Sequence, residues 1–240
     1  MTEQVALTAC ILISALVLIF LFKESKTRFI KNGLFLSLYH TIYVILLFLP
    51  IQYGFLSIPG TEKNWTGKLL AILFSMAFYF MARKHFKEHD YVLSPALKTS
   101  LKKITIVGLV TVSVMSALTI AFSQSKDLNL ETLFYQMTMP GLDEELWRGI
   151  LLGLLVPTTK PLKFKLGHPA IWVTTLIFAL GHSVFLQDWA PKFALDAFII
   201  TGILGYILGW MTYTSKSILP AIVFHNLINF STNAVEMFML

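Results

Sequence analysis

Four charged residues occupy six positions in the segment PGLDEELWRGILLG, at the start of an apolar run. They are Asp143, Glu144, Glu145 and Arg148. A charged side chain at the centre of a membrane helix costs about 2.5 to 3.5 kcal/mol, so such residues face protein, water or each other and mark functional sites. Glu144 and Arg148 are four residues apart with the acidic residue first, which predicts that they pair on one helix face. The alternative is an interfacial charge cluster, which leaves the histidines of two later segments unexplained.

Those two later apolar segments contain one histidine each. His182 follows Phe178 by one helical turn in WVTTLIFALGHSVF, and His225 precedes Asn229 by one turn in LPAIVFHNLINFS. Carboxylates and imidazoles inside a helix bundle can perform general acid and base chemistry on water, and a histidine with an asparagine can donate hydrogen bonds to an oxyanion. Hydrolysis of a peptide bond is the natural use of this set.

The same side chains also suit a metal site. Glu144, His182 and His225 can bind a divalent metal such as Zn²⁺, with a second carboxylate as the base. The sequence leaves the glutamate-water mechanism and the metal mechanism open.

The composition shows what must position these residues. Of 240 residues, 56% are hydrophobic and 13% are charged, whereas a soluble domain carries about 25% charged residues. We therefore expect an all-α, polytopic transmembrane bundle of about eight spans, one membrane domain over 1–240, with the active site inside the bundle. The predicted runs cover residues 5–22, 34–56, 67–82, 104–122, 140–157, 169–186, 192–212 and 217–238.

Three further features refine this picture. The segment LNLETLFYQMTMPG is short and reaches Pro140 and Gly141, which predicts a re-entrant or interfacial helix that stops there. The single cysteine, Cys10, excludes a disulfide framework within the chain. The acidic N-terminal segment MTEQVAL predicts a retained first span rather than a cleaved signal peptide.

The basic residues indicate orientation rather than nucleic acid binding. The net charge is +6, but the lysines and arginines lie in short loops and form no continuous stripe, so no nucleic acid partner is expected. They are concentrated after the first, third and fifth apolar runs, which predicts that those loops are cytoplasmic and both termini extracytoplasmic. The short loops favour a bacterial protein of the cytoplasmic membrane.

Three motifs in order resemble the CPBP family of CAAX proteases and bacteriocin-processing enzymes, also called Abi. DEELWRG resembles the family pattern of two glutamates, three residues and an arginine. Phe178 with His182, and His225 with Asn229, match the two later patterns. The resemblance covers residues 128–235, the expected catalytic core, while residues 1–125 resemble the family only as four generic membrane spans.

The first motif departs from the family pattern. Counting back five residues from Arg148 places Asp143 where the family has its leading glutamate. The other register uses Glu144 and Glu145 and leaves the arginine one residue early. Glu144 belongs to the pair in both registers, and whether Asp143 or Glu144 activates water stays open.

The resemblance implies an intramembrane endopeptidase that acts on a membrane-associated or lipid-embedded peptide or protein within the bilayer. Two other functions would use the same polar pocket: a non-catalytic membrane scaffold or sensor, and a proton-coupled transporter. The sequence has no visible internal repeat, which weighs against a transporter.

Overall fold

The structure is a computed structural model that describes residues 12, 26–86, 89–161, 167–187 and 190–239. The first predicted span, 5–22, lies outside the described residues except for Leu12, and Cys10 also lies outside them.

Helices dominate the described part of the chain, as the composition predicted. Its seven α-helices are α1 (Lys26–Gln52), α2 (Trp65–Met81), α3 (Lys98–Phe122), α4 (Leu130–Leu155), α5 (Pro169–Ser183), α6 (Leu195–Ser215) and α7 (Leu219–Phe238). Short 3₁₀ turns lie at Gly54–Leu56, Arg83–His85 and Val156–Thr158.

A small β-hairpin between α5 and α6 was not predicted. Its strands, β1 (Val184–Gln187) and β2 (Ala190–Phe193), pair antiparallel with Val184 opposite Phe193. Helix α5 therefore ends before the predicted sixth run does, because the backbone becomes extended at Val184. The hairpin begins directly after the helical turn that carries His182.

Eight membrane spans are not confirmed. Among the described residues, three helices are long and apolar enough to cross a bilayer: Thr27–Gln52, Lys98–Phe122 and Leu195–Ser215. Helices α2 and α5 are apolar but have only 17 and 15 residues, fewer than the roughly 20 that a full span needs. The protein is an integral membrane protein, and the orientation of its termini stays a prediction.

Helix α4 is the centre of the bundle. It packs against α1, α2, α5, α6 and α7, and every residue from Glu145 to Leu155 is buried. A helix that is buried on all sides in this way is a core helix rather than a surface one. The charged residues of DEELWRG therefore lie where five neighbouring helices can reach them.

Helix α4 continues through Pro140, so the prediction of a helix that stops there was wrong. Proline has no N–H and usually breaks the hydrogen-bond ladder of a helix. Here the side chain of Asn226 in α7 supplies hydrogen-bond partners to the backbone on both sides of Pro140. Its Oδ1 accepts from the Gly141 N–H at 2.8 Å, and its Nδ2 donates to the Thr138 carbonyl at 3.3 Å. A Cβ on residue 141 would lie 2.5 Å from Asn226 Oδ1, so this approach requires glycine.

We expect Asn226→Ala to destabilise the protein by about 1 to 3 kcal/mol, because it leaves buried backbone groups beside Pro140 without partners. Thermal unfolding in detergent measures the effect. Asn233→Ala is the matched control, since Asn233 lies on the same helix and only bonds the Asn229 carbonyl of its own helix, at 2.8 Å. Equal effects of the two substitutions would contradict the role of Asn226 in joining α4 to α7.

Candidate active site

Three consecutive carboxylates of α4 point in three directions. Successive side chains on a helix are about 100° apart, so Asp143, Glu144 and Glu145 cannot share one face. Each has a different set of partners on the surrounding helices.

Asp143 faces α1 and α2. Its Oδ2 accepts a hydrogen bond from Tyr43 Oη at 2.9 Å and pairs with Lys68 Nζ at 2.8 Å, and its side chain is fully buried. This carboxylate therefore ties the central helix to the two N-terminal helices.

Glu144 faces a cavity. Its Oε1 lies 2.6 Å from Lys68 Nζ and its Oε2 lies 3.5 Å from His225 Nε2. Its side chain is 15% exposed, whereas the side chains of Asp143 and Glu145 are not exposed at all. Of the three carboxylates, Glu144 is the one that a cavity ligand can reach.

Glu145 faces the interior and binds two cationic or polar partners. Its Oε2 accepts from Arg148 Nε at 2.9 Å, and its Oε1 lies 2.9 Å from His225 Nδ1. The predicted pair of Glu144 with Arg148 is therefore wrong: the arginine pairs at i,i+3 rather than i,i+4, because Glu144 is held by Lys68. An ionised carboxylate only accepts hydrogen bonds, so His225 Nδ1 carries a proton. In the neutral ring, Nε2 is then an unprotonated base that faces Glu144.

Phe178 explains the spacing of the second motif. Its ring lies 4.6 Å from the Arg148 guanidinium carbon, 4.3 Å from the His182 ring and 6.3 Å from the His225 ring. The ring stacks against the cation at a distance typical of a cation–π contact. Phe178 thus separates the arginine from His182 while packing against both.

His182 lies in the last turn of α5 and is an exposed residue. Its Nδ1 lies 2.9 Å from the Phe178 carbonyl oxygen. A carbonyl only accepts, so Nδ1 donates and Nε2 of the neutral ring is free to accept a proton. His182 lines the cavity that Glu144 faces, and His225 Nε2 lies 3.5 Å from Glu144 Oε2.

Asn229 is not joined to this cluster. It lies half-buried one turn after His225, and its side chain forms no hydrogen bond with any residue that the structure describes. The neighbouring Asn226, which the motif does not include, makes the structural contacts instead.

The cavity has a volume of about 280 Å³ and lies between α1, α2, α4 and α5. Its walls are mostly apolar and its polar groups converge near Glu144, which is the usual design of a ligand site. The lining residues are His40, Tyr43, Val44, Leu47, Phe48, Lys68, Glu144, Trp147, Ile177, Phe178, Gly181 and His182.

Sequence reasoning missed Lys68 and Tyr43. Lys68 lies at the start of the predicted run 67–82 and was not predicted as a site residue, although it is the fourth residue of α2 and is buried. A lysine at the start of an apolar helix was the available signal, but only the fold shows which carboxylates it meets. Tyr43 has no sequence signal that separates it from other aromatic residues of its helix.

A metal site gains no support from the geometry of the candidate ligands. Among the described residues, no three His, Cys, Asp or Glu side chains are grouped as metal ligands. Glu144 also lies beside the Lys68 ammonium, which would repel a cation bound there.

We expect Lys68→Met to destabilise the protein by about 3 to 5 kcal/mol, because it leaves two neighbouring carboxylates buried without their counter-charge. Lys126→Met is the matched control. Lys126 pairs with Glu236 at 2.6 Å, but its side chain is 59% exposed, so its loss should cost less than about 1 kcal/mol. Thermal unfolding in detergent compares them, and a Lys68 variant as stable as the Lys126 variant would show that the bridge contributes little.

The C-terminal part of this bundle matches a known protein family. Residues 125–231, which include α4, α5, α6 and most of α7, match the family described as type II CAAX prenyl endopeptidase Rce1-like. Neither the comparison with curated proteins nor that with solved structures finds a match. The family is a protease family, and the matched segment contains all three motifs. The chain therefore carries an Rce1-like type II CAAX prenyl endopeptidase domain at residues 125–231, and this type of domain belongs to the CPBP family.

Proposed function

We propose that the protein is an intramembrane endopeptidase in which Glu144 activates a water molecule. The observation that carries the proposal is the position of Glu144: it is the carboxylate that lines the cavity, with His225 Nε2 at 3.5 Å and His182 on the same cavity wall. A carboxylate on the cavity wall, with one imidazole beside it and a second lining the cavity, can provide the base and the proton carriers that amide hydrolysis requires.

The first step is attack by water. Glu144 accepts a proton from a water molecule that also donates to His182 Nε2, and the water oxygen forms a bond to the carbonyl carbon of the peptide. The carbonyl π electrons move to oxygen and create an oxyanion. The Lys68 ammonium, 2.6 Å from Glu144 Oε1, keeps the carboxylate ionised before the step.

The second step transfers a proton to the leaving amine. The proton passes from Glu144 to the amide nitrogen, directly or through His225 Nε2. The oxyanion then re-forms the C=O double bond, and the C–N bond breaks to release the amine and a carboxylic acid. Glu145 holds His225 Nδ1 at 2.9 Å, so the ring keeps its Nε2 directed at Glu144. Arg148 acts indirectly, because it fixes Glu145. Asn229, one turn after His225, is our candidate donor to the oxyanion.

The surroundings of the site suit an apolar peptide. Val44, Leu47, Phe48 and Ile177 form much of the cavity wall, and a polar substrate side chain would lose its hydration there without gaining partners. We therefore propose a membrane-associated or lipid-embedded peptide or protein as the substrate.

We expect Glu144→Gln, His182→Ala and His225→Ala each to lower the rate of peptide cleavage by about 10² to 10⁴-fold, because each removes a proton-transferring group. A quenched library of apolar peptides, incubated with purified protein in detergent, measures the rate. Glu236→Gln is the matched control, since it removes a glutamate of the same protein that pairs with Lys126 outside the cavity. Cleavage that survives in Glu144→Gln would contradict the proposal.

The same assay separates the two mechanisms when it is run with a chelator. The proposed glutamate-water mechanism predicts an unchanged rate. Loss of cleavage that returns with Zn²⁺ would instead assign Glu144, His182 and His225 to a metal.

A further inference from the structure

His40 of α1 has one ring nitrogen bonded and the other without a partner. Its Nδ1 accepts a hydrogen bond from Trp147 Nε1 at 2.9 Å. Its Nε2 is buried and has no hydrogen-bond partner among the described residues. The residue is only 4% exposed, yet it lines the cavity that contains Glu144 and His182.

The contact with Trp147 determines the tautomer of His40. An indole nitrogen can only donate, so His40 Nδ1 must be unprotonated where the two meet. The proton of the neutral ring is then on Nε2, which makes that nitrogen a hydrogen-bond donor. A buried donor without a partner costs free energy, so native proteins rarely keep one without a reason.

We infer that His40 Nε2–H donates a hydrogen bond to a backbone carbonyl of the bound peptide. The inference rests on the proposed function, because it takes a peptide as the occupant of the cavity. The ligand must accept a hydrogen bond, since the Trp147 contact leaves Nε2 as a donor. A peptide in an apolar cavity offers backbone carbonyls that need donors there.

His40 lies outside residues 125–231, so the family match gives it no role. Together with Lys68 it makes the N-terminal helices part of the binding site rather than a passive support. Trp147 is the positioning residue, because it acts on the peptide only through the tautomer of His40.

The test compares two substitutions of His40 whose side chains differ in length. His40→Asn keeps an amide oxygen near the position of Nδ1, where Trp147 can donate to it, but it is too short to replace Nε2–H. His40→Gln extends an amide nitrogen to about the position of Nε2 and restores a donor. Both are made in the Glu144→Gln background, so binding is measured without cleavage. His85→Asn is the matched control, since His85 stacks on Phe35 in the turn after α2 and does not line the cavity.

The probe is a fluorescein-labelled apolar peptide selected from a library by its binding to the Glu144→Gln protein. We expect His40→Asn to weaken its binding by about tenfold, the effect of losing one buried hydrogen bond. His40→Gln should recover most of the affinity, and His85→Asn should leave it unchanged. Thermal unfolding in detergent identifies any variant that has lost its fold, and the His40→Gln variant then carries the comparison.

A series of peptides identifies the carbonyl. Each peptide bond is replaced in turn by an alkene isostere, which removes the acceptor without adding charge. One isostere should bind the Glu144→Gln protein about tenfold more weakly than the parent peptide does, and His40→Asn should weaken that isostere no further.

Three results would overturn the inference: equal binding of the parent peptide with and without His40→Asn, additive losses for every isostere, or no binding by any library peptide. Failure of the proposed function looks different. In that case peptides bind in a His40-dependent way, and the protein with native Glu144 cleaves none of them.

Discussion

Three adjacent carboxylates of the central helix, two of them fully buried and the third 15% exposed, require partners on three sides, and the arrangement of the bundle follows from that requirement. Lys68 neutralises the Asp143 and Glu144 side from α2, and Arg148 neutralises Glu145 from within α4. Two cations against three carboxylates leave one negative charge, and His225 contributes a hydrogen bond from Nδ1 to Glu145. The burial that makes the charges costly also keeps them strongly coupled, which suits a site that transfers protons.

The site combines residues from inside and from outside the segment that matches the family. The segment that matches the family, residues 125–231, supplies the carboxylates, the arginine and both histidines. Helices α1 and α2 lie outside it and supply Tyr43, which bonds Asp143, and Lys68. Their contribution to the charge balance means that the family segment by itself leaves Asp143 and Glu144 without a counter-ion.

The spacing of the motifs indicated which residues meet better than it indicated which side chains form ion pairs. The motifs predicted that Glu144 and His225 lie in one place, and their side chains lie 3.5 Å apart. A charged residue in an apolar helix must face protein, water or another charge, which limits where it can lie. Spacing could not choose between i,i+3 and i,i+4 for Arg148, since that choice depends on Lys68, a residue distant in sequence. The Asn229 side chain makes no hydrogen bond to the cluster among the described residues, and its role in catalysis stays a prediction.

The fold was predictable in class and less so in detail. Apolar runs indicated a helical membrane protein, but they could not reveal that Asn226 carries α4 through Pro140, because the repairing amide comes from another helix. Nor could they show the turn of the chain into β1 after Ser183. Run length alone could not show that a helix such as α5 has only 15 residues before the chain enters β1.

The proposed mechanism depends on Glu145, which holds His225 with a proton on Nδ1 and directs Nε2 at Glu144. Solid-state ¹⁵N NMR of histidine-labelled protein in lipid bilayers, with His225→Gln to assign the signal, measures which ring nitrogen carries the proton. We expect a protonated Nδ1 in the native protein, and loss of that preference in Glu145→Gln. A neutral His225 protonated only on Nε2, unchanged by Glu145→Gln, would contradict it.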